Sequence, residues 1–117
     1  MGKTGVNKYR NHRTSGWDSD LERERYAELL LRQRAGQISN LRRQVPIELL
    51  PSQYVDGKCV ERGVKYVADF VYYRDGKMVV EDVKSPVTRK NKDYVIKRKM
   101  LLYFHHIQLE EYPKNGR

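Results

Sequence analysis

The chain has little of what redox or zinc chemistry needs, with one cysteine and three histidines among 117 residues. A lone Cys59 excludes an intramolecular disulfide and fits a reducing cytoplasm. Cys59 with His12, His105 and His106 is too small a set for a structural zinc site. Long apolar runs are also missing. None approaches the ~20 residues of a transmembrane helix, and the polar, basic first residues do not resemble a signal peptide. Acids are outnumbered, with Asp and Glu at 15 against Lys and Arg at 24, which leaves a net charge of +9. That excess suits a polyanion, either nucleic acid or an anionic membrane surface. No basic helix has the clean apolar face that lying on a membrane requires, so DNA is the expected partner. With 38% hydrophobic residues, one Trp and two Phe against nine Tyr, the chain can build one compact domain with a modest core.

The most informative stretch is Val67 to Lys84, VADFVYYRDGKMVVEDVK. Two apolar runs flank Asp75-Gly76, a strong hairpin signal. Either a two-residue or a four-residue loop sets Tyr73 opposite Met78, Val71 opposite Val80 and Asp69 opposite Asp82. Opposed carboxylates repel, so a cation belongs between them. Lys84, two residues beyond Asp82 on the same strand face, supplies part of it. Glu81 points to the other face with Val79 and Val83. Mg²⁺ takes one or two carboxylates and completes its shell with water and phosphate, so two aspartates and a lysine on adjacent strands suit phosphodiester cleavage. The competing reading is a hairpin whose carboxylates sit at a solvated sheet end, offset by Lys84 alone.

Residues 1–16 carry Lys3, Lys8, Arg10 and Arg13 and no acid. They read as a flexible basic arm, either a DNA-contacting element or a tail without a role. Ser19 can cap a helix running to about Arg34, with Ala35-Gly36 as its stop. At ~100° per residue, Leu29 lies about 20° from Glu22 and Tyr26 about 40°, so Glu22 faces inward. Glu24 and Glu28 fall on the solvated side. Leu41 to Leu50 reads as an edge strand that tolerates Pro46, with Leu41, Val45, Ile47 and Leu49 on one face and Arg42, Gln44 and Glu48 on the other. Residues 51–63 form a loop, or a small hairpin, with its own Asp56-Gly57 turn signal. Residues 89–104 read as a second helix rich in bases, where Lys97 projects from the apolar side and either snorkels to solvent or supports the site. A last strand spans His106 to Glu111, and residues 113–117 form a tail. His105 and His106 read as linker residues. The order is α-β-β-β-α-β, with a right-handed crossover that sets the last strand parallel to the third. The expected fold is a mixed α/β domain over residues 17–112, with helices flanking a four-stranded sheet.

Asp69, followed on the next strand by Asp82-Val83-Lys84, resembles the PD-(D/E)XK nuclease signature, with Ala68 in place of the proline. Most of the chain is similar to small phage and prophage proteins of that superfamily, through Trp17-Asp18-Ser19 leading to Glu22, RQVPIELLPS, YVADF and VVEDVKS. The resemblance implies a restriction-endonuclease-like αβββαβ core and a Mg²⁺- or Mn²⁺-dependent DNA endonuclease. Asp69 and Asp82 would hold the metal with the Val83 carbonyl, and Lys84 would position or activate water. Glu22 would complete the acidic site as a second-metal ligand or water-orienting group. Arg89, Lys90, Lys92 and Lys97, with the basic arm, would contact phosphates. Branched-DNA resolution, which needs two coordinated cuts and hence a homodimer, stands beside nicking of duplex DNA. The alternative is a non-catalytic DNA-binding protein that keeps the fold.

Overall fold

The computed structural model describes residues 12–114, with side chains from Asp20 onward. The chain runs through α1 (His12–Arg34), β1 (Ser39–Leu50), β2 (Gln53–Val55), β3 (Lys58–Glu61), β4 (Val64–Arg74), β5 (Lys77–Val83), α2 (Pro86–Arg89), α3 (Lys92–His105) and β6 (Glu110–Tyr112). Strands β1, β4, β5 and β6 form one sheet in that order, while β2 and β3 pair as a separate hairpin. The β1–β4 and β4–β5 pairs are antiparallel and β5–β6 is parallel. This is a mixed α/β architecture whose four-stranded sheet follows the expected order, with the β2–β3 hairpin and a third helix besides. Lys3, Lys8 and Arg10 lie outside the described residues, as does the tail from residue 115.

Local chemistry sets most boundaries. Asp75 and Gly76 both adopt positive φ, 55° and 76°, the geometry of a two-residue type I′ turn that follows strand twist. The pairing is therefore Arg74↔Lys77, Tyr73↔Met78 and Val71↔Val80, as expected. Asp56-Gly57 makes the same turn between β2 and β3, with φ of 52° and 80°. Gly36, at φ 80°, ends α1, and the Gly36 and Gln37 N–H groups return to the Gln33 and Arg32 carbonyls.

Several boundaries differ from expectation. Helix α1 starts at His12, so Ser19 lies inside it and residues 12–16, Arg13 among them, are helical rather than part of an arm. No proline interrupts this stretch, and the single Gly16 costs a helix only about 1 kcal/mol. The expected helix at 89–104 is two helices. Ser85 Oγ accepts from Thr88 N–H to cap α2, and Asn91 Oδ1 accepts from Tyr94 N–H to cap α3. The last strand starts at Glu110, because His106 takes a left-handed conformation and the Ile107 N–H still closes onto the Leu101 carbonyl.

The core has two parts. Leu49, Tyr66, Ala68, Val71, Val80, Tyr94, Leu101 and Leu109 pack together on the α3 side. Leu29, Ile38, Phe70, Tyr72, Val79 and Val83 pack on the α1 side. Neighbours Val79 and Val80 join different clusters, so the two helices cover opposite sheet faces. One irregularity matters later. On β1, Leu41 belongs to the α1 side while Val45, Ile47 and Leu49 belong to the α3 side, against the single face expected. Gln44, at φ 50°, stands between them. Strand β4 reverses at the paired position, since Tyr66 and Ala68 face α3 whereas Phe70 and Tyr72 face α1. No helix among the described residues is long and apolar enough to cross a membrane.

Leu29 is the fully buried anchor of α1. Leu29→Ala is expected to cost about 3 kcal/mol, read as a lower denaturant midpoint with an unchanged slope. A loss below about 0.5 kcal/mol would mean that α1 does not depend on this contact.

Candidate functional site

The ladder between β4 and β5 stops at Phe70↔Glu81. One residue further, the aspartates take over the hydrogen bonding. Asp82 Oδ1 accepts from the Asp69 backbone N–H at 2.6 Å, and Asp69 Oδ2 accepts from the Val83 N–H at 2.9 Å. Each carboxylate thus satisfies an N–H of the opposite strand as the strands diverge. Asp82 is fully buried, and its Oδ2 also accepts from the Tyr66 hydroxyl and lies 2.9 Å from Lys84 Nζ. The Lys84 ammonium in turn sits 5.1 Å from the centre of the Tyr94 ring. The repulsion expected between the aspartates is therefore offset by Lys84, by two backbone N–H groups and by a phenol. The tie to Val83 is its N–H.

Glu22 joins from α1 as its helical phase predicts. Its neighbours Leu21 and Tyr26 pack against the α1-side core, and its Oε2 accepts from Gln44 Nε2 at 2.9 Å. The same amide nitrogen is 3.2 Å from Asp69 Oδ1. Gln44 thereby bridges the carboxylates of α1 and β4. From the sequence, Gln44 is open to lying near the site, although most strand glutamines simply face solvent. The order along the cluster is Glu22, Gln44, Asp69, Asp82, Lys84.

The electrostatics are those of acids held close together away from water. Burial, then the Asp69 charge, raises the Glu22 pKa above its ordinary value, with Gln44 and Arg43 opposing. Burial also raises Asp82, opposed by Lys84 and reinforced by Asp69. Burial and the Asp82 charge push the Tyr66 hydroxyl far up, so it stays protonated and donates. Among the described residues, no group of three or more His, Cys, Asp or Glu is placed to hold a metal ion.

A second charged cluster lies across the sheet. Glu81, between Val79 and Val83 and almost fully buried, receives a forked pair from Arg25, Nε to Oε2 at 2.6 Å and Nη2 to Oε1 at 2.9 Å. The Tyr72 hydroxyl adds a third bond at 2.7 Å. Arg25 also meets Glu28, which pairs with Arg32. Sequence reasoning placed Glu81 on this face without a partner. The available signal was a carboxylate between buried valines, which demands a cation, and Arg25 lies one helical turn after Glu22.

The expected phosphate-binding residues scatter. Arg89 is engaged within the protein, donating to the Lys84 and Pro113 carbonyls and meeting Glu111 at 3.5 Å. Lys90 and Lys92 are exposed, and Lys97 is half-buried on α3. Lys97 makes no ion pair with the cluster among the described residues.

The fold and site define a mixed α/β protein in which two acids, an amide and an acid–lysine pair meet where two central strands part. The chain belongs to the family described as "Protein of unknown function (DUF1064)", which matches residues 5–114. No curated protein and no solved structure matches it.

Two outcomes test this geometry. The folded state raises the Glu22 pKa, so Glu22 contributes most stability below its ordinary value and loses it as pH rises through the raised one. Glu22→Gln should therefore melt above the unaltered protein at pH 7, with the gap closing toward pH 4; a gap independent of pH would sink the assignment. Arg25→Ala strands a buried carboxylate and is expected to cost about 3–5 kcal/mol. Arg25→Ala with Glu81→Leu should recover much of that loss by removing the unpaired charge, as chemical denaturation of both variants would read out.

Proposed function

We propose that this protein is a divalent-metal-dependent DNA endonuclease of the PD-(D/E)XK kind, built on a restriction-endonuclease-like core. The observation that carries the reading is the meeting of Glu22, Asp69, Asp82 and Lys84, from three separate elements, in the order along the chain that the signature requires. The donor set fits Mg²⁺ or Mn²⁺. Both take hard oxygen ligands, and Mg²⁺ needs only one or two carboxylates beside water and phosphate. The Gln44 amide hydrogens already fill the place between Glu22 Oε2 and Asp69 Oδ1, as a cation would. Glu22 and Asp69 would hold the ion, with Asp82 supporting them through the Asp69 backbone. When bound, such an ion lowers the pKa of water and offsets charge on the phosphate oxygens.

The remaining chemistry falls to side chains in hand. Asp82 holds the Lys84 ammonium, whose other N–H bonds would go to a non-bridging phosphate oxygen and stabilise its growing charge. Glu22, beside the ion, would orient the attacking water. Water would add to phosphorus, losing a proton to solvent, as a P–O ester bond breaks and the leaving oxygen takes up a proton from solvent. Exposed Lys90 and Lys92, with the +9 charge, would bind phosphates without reading bases. Substrates in keeping with this are branched DNA, cut by a homodimer, or one strand of a duplex, in a cytoplasmic setting.

A second reading keeps DNA binding and drops catalysis. It is favoured by the work Asp69 and Asp82 do as acceptors for backbone N–H groups, a structural reason for carboxylates to stand there. Incubation with supercoiled plasmid, linear duplex and a four-way junction, with Mg²⁺, Mn²⁺ or EDTA, separates the two. The endonuclease reading expects metal-dependent cleavage that Glu22→Gln, Asp69→Asn and Lys84→Met each slow at least tenfold, about 1.4 kcal/mol. Glu24→Gln, exposed on α1, should leave the rate unchanged. DNA binding without cleavage in either metal would favour the second reading.

Either way, affinity should fall steeply with salt as counterions are released. Replacing Lys90 and Lys92 together by Ala should flatten log K against log[salt] by about two units, roughly one per lost phosphate contact. An unchanged slope would take both lysines out of the interface.

A further inference from the structure

We infer that Gln44 is a metal-positioning residue of the proposed site, turning its side-chain carbonyl oxygen toward the ion once the ion replaces the amide hydrogens. The inference rests on the endonuclease reading and adds to it a neutral ligand that an inventory of acids and histidines passes over.

The geometry supplies the argument. Gln44 Nε2 stands 2.9 Å from Glu22 Oε2 and 3.2 Å from Asp69 Oδ1. Neighbouring oxygens on an octahedral Mg²⁺, at its usual bond length, are separated by ~2.9 Å. The terminal atom of Gln44 is thus already spaced from both carboxylates as a third ligand would be. Without metal, two carboxylate oxygens select the NH₂ end of the amide. With a cation among the three, the preference inverts, since the carbonyl oxygen is the only ligand atom an amide offers. Rotation about the last side-chain bond exchanges the two ends and leaves the backbone in place. The left-handed φ of Gln44 turns the strand between Arg43, over the Tyr26 ring, and Val45 on the opposite face. That turn, set directly across from Asp69, brings the amide to both acids.

A carboxamide in this position also has an electrostatic consequence. A further carboxylate would add negative charge beside Glu22 and Asp69, which Gln44 already joins. A neutral oxygen adds a ligand without that repulsion and keeps the metal-free site intact.

The test is direct Mn²⁺ binding to the full chain without DNA, followed by electron paramagnetic resonance and calorimetry, for the unaltered protein and for Gln44→Ala, Gln44→Met and Gln44→Glu. Removing the amide oxygen, in either the Ala or the Met variant, should weaken Mn²⁺ binding at least tenfold. Gln44→Glu, which keeps an oxygen at the same reach, should bind within threefold of the unaltered protein or more tightly. Thermal melting in EDTA identifies which variants are folded, and Gln44→Met decides if Gln44→Ala is not. Equal or tighter binding by the folded Ala or Met variant overturns the role of Gln44 while leaving the endonuclease reading standing. Absence of any Mn²⁺ binding that Asp69→Asn abolishes overturns both.

Discussion

The exchange between Asp69 and Asp82 is the contact on which the centre of this protein depends. Where two strands diverge, each leaves an N–H without a ladder partner, and a buried orphan of this kind costs about 1–3 kcal/mol. Here the carboxylate of each strand takes the N–H of the other, Asp82 from Asp69 and Asp69 from Val83. The divergence is thereby made stable, and β5 continues into its parallel pairing with β6. The same exchange concentrates negative charge at one point, which Lys84 and the Tyr66 hydroxyl offset.

The surroundings hold this point from both faces. On the α1 side, the fork from Arg25 to Glu81 ties the helix to β5 one residue before Asp82. Glu22 lies one helical turn earlier, so the clamp sets how far its carboxylate reaches. On the α3 side, Tyr94 packs its ring beside the Lys84 ammonium and donates its hydroxyl to Glu111 at 2.5 Å. Arg89 donates to the Lys84 carbonyl and meets the same Glu111. Lys84 is therefore held at its backbone, its ammonium and its aromatic neighbour. A lysine so placed loses little freedom when it takes up a further bond.

The charged clusters on the two faces differ in kind. Around Glu81, a buried acid meets a forked arginine and a tyrosine, and its needs are met in full. Around Asp69, the acids outnumber the cations. Glu22 has an amide for a partner, and burial with the Asp69 charge raises its pKa in spite of that bond. This imbalance is local. The chain as a whole carries +9, so the acids at the strand divergence stand against a basic background.

Much of this was legible in the sequence because it rests on local rules. Asp75-Gly76 can adopt the two positive φ values of a type I′ turn, so the β4–β5 register and the meeting of Asp69, Asp82 and Lys84 follow by counting. The helical phase that turns Glu22 inward is equally local. The caps at Ser85 and Asn91, which divide the second helical segment, are local as well; the continuous run of bases and apolar residues hid them. Tertiary structure alone decided the rest. Arg25 and Glu81 are 56 residues apart, and no spacing rule joins them. Gln44 enters the site because its strand departs from a period of two at a left-handed residue that is not glycine, opposite an equal departure on β4. A sequence expresses such a conformation weakly, since it is the packing of α1 and α3 on opposite faces that makes both strands turn at the same place.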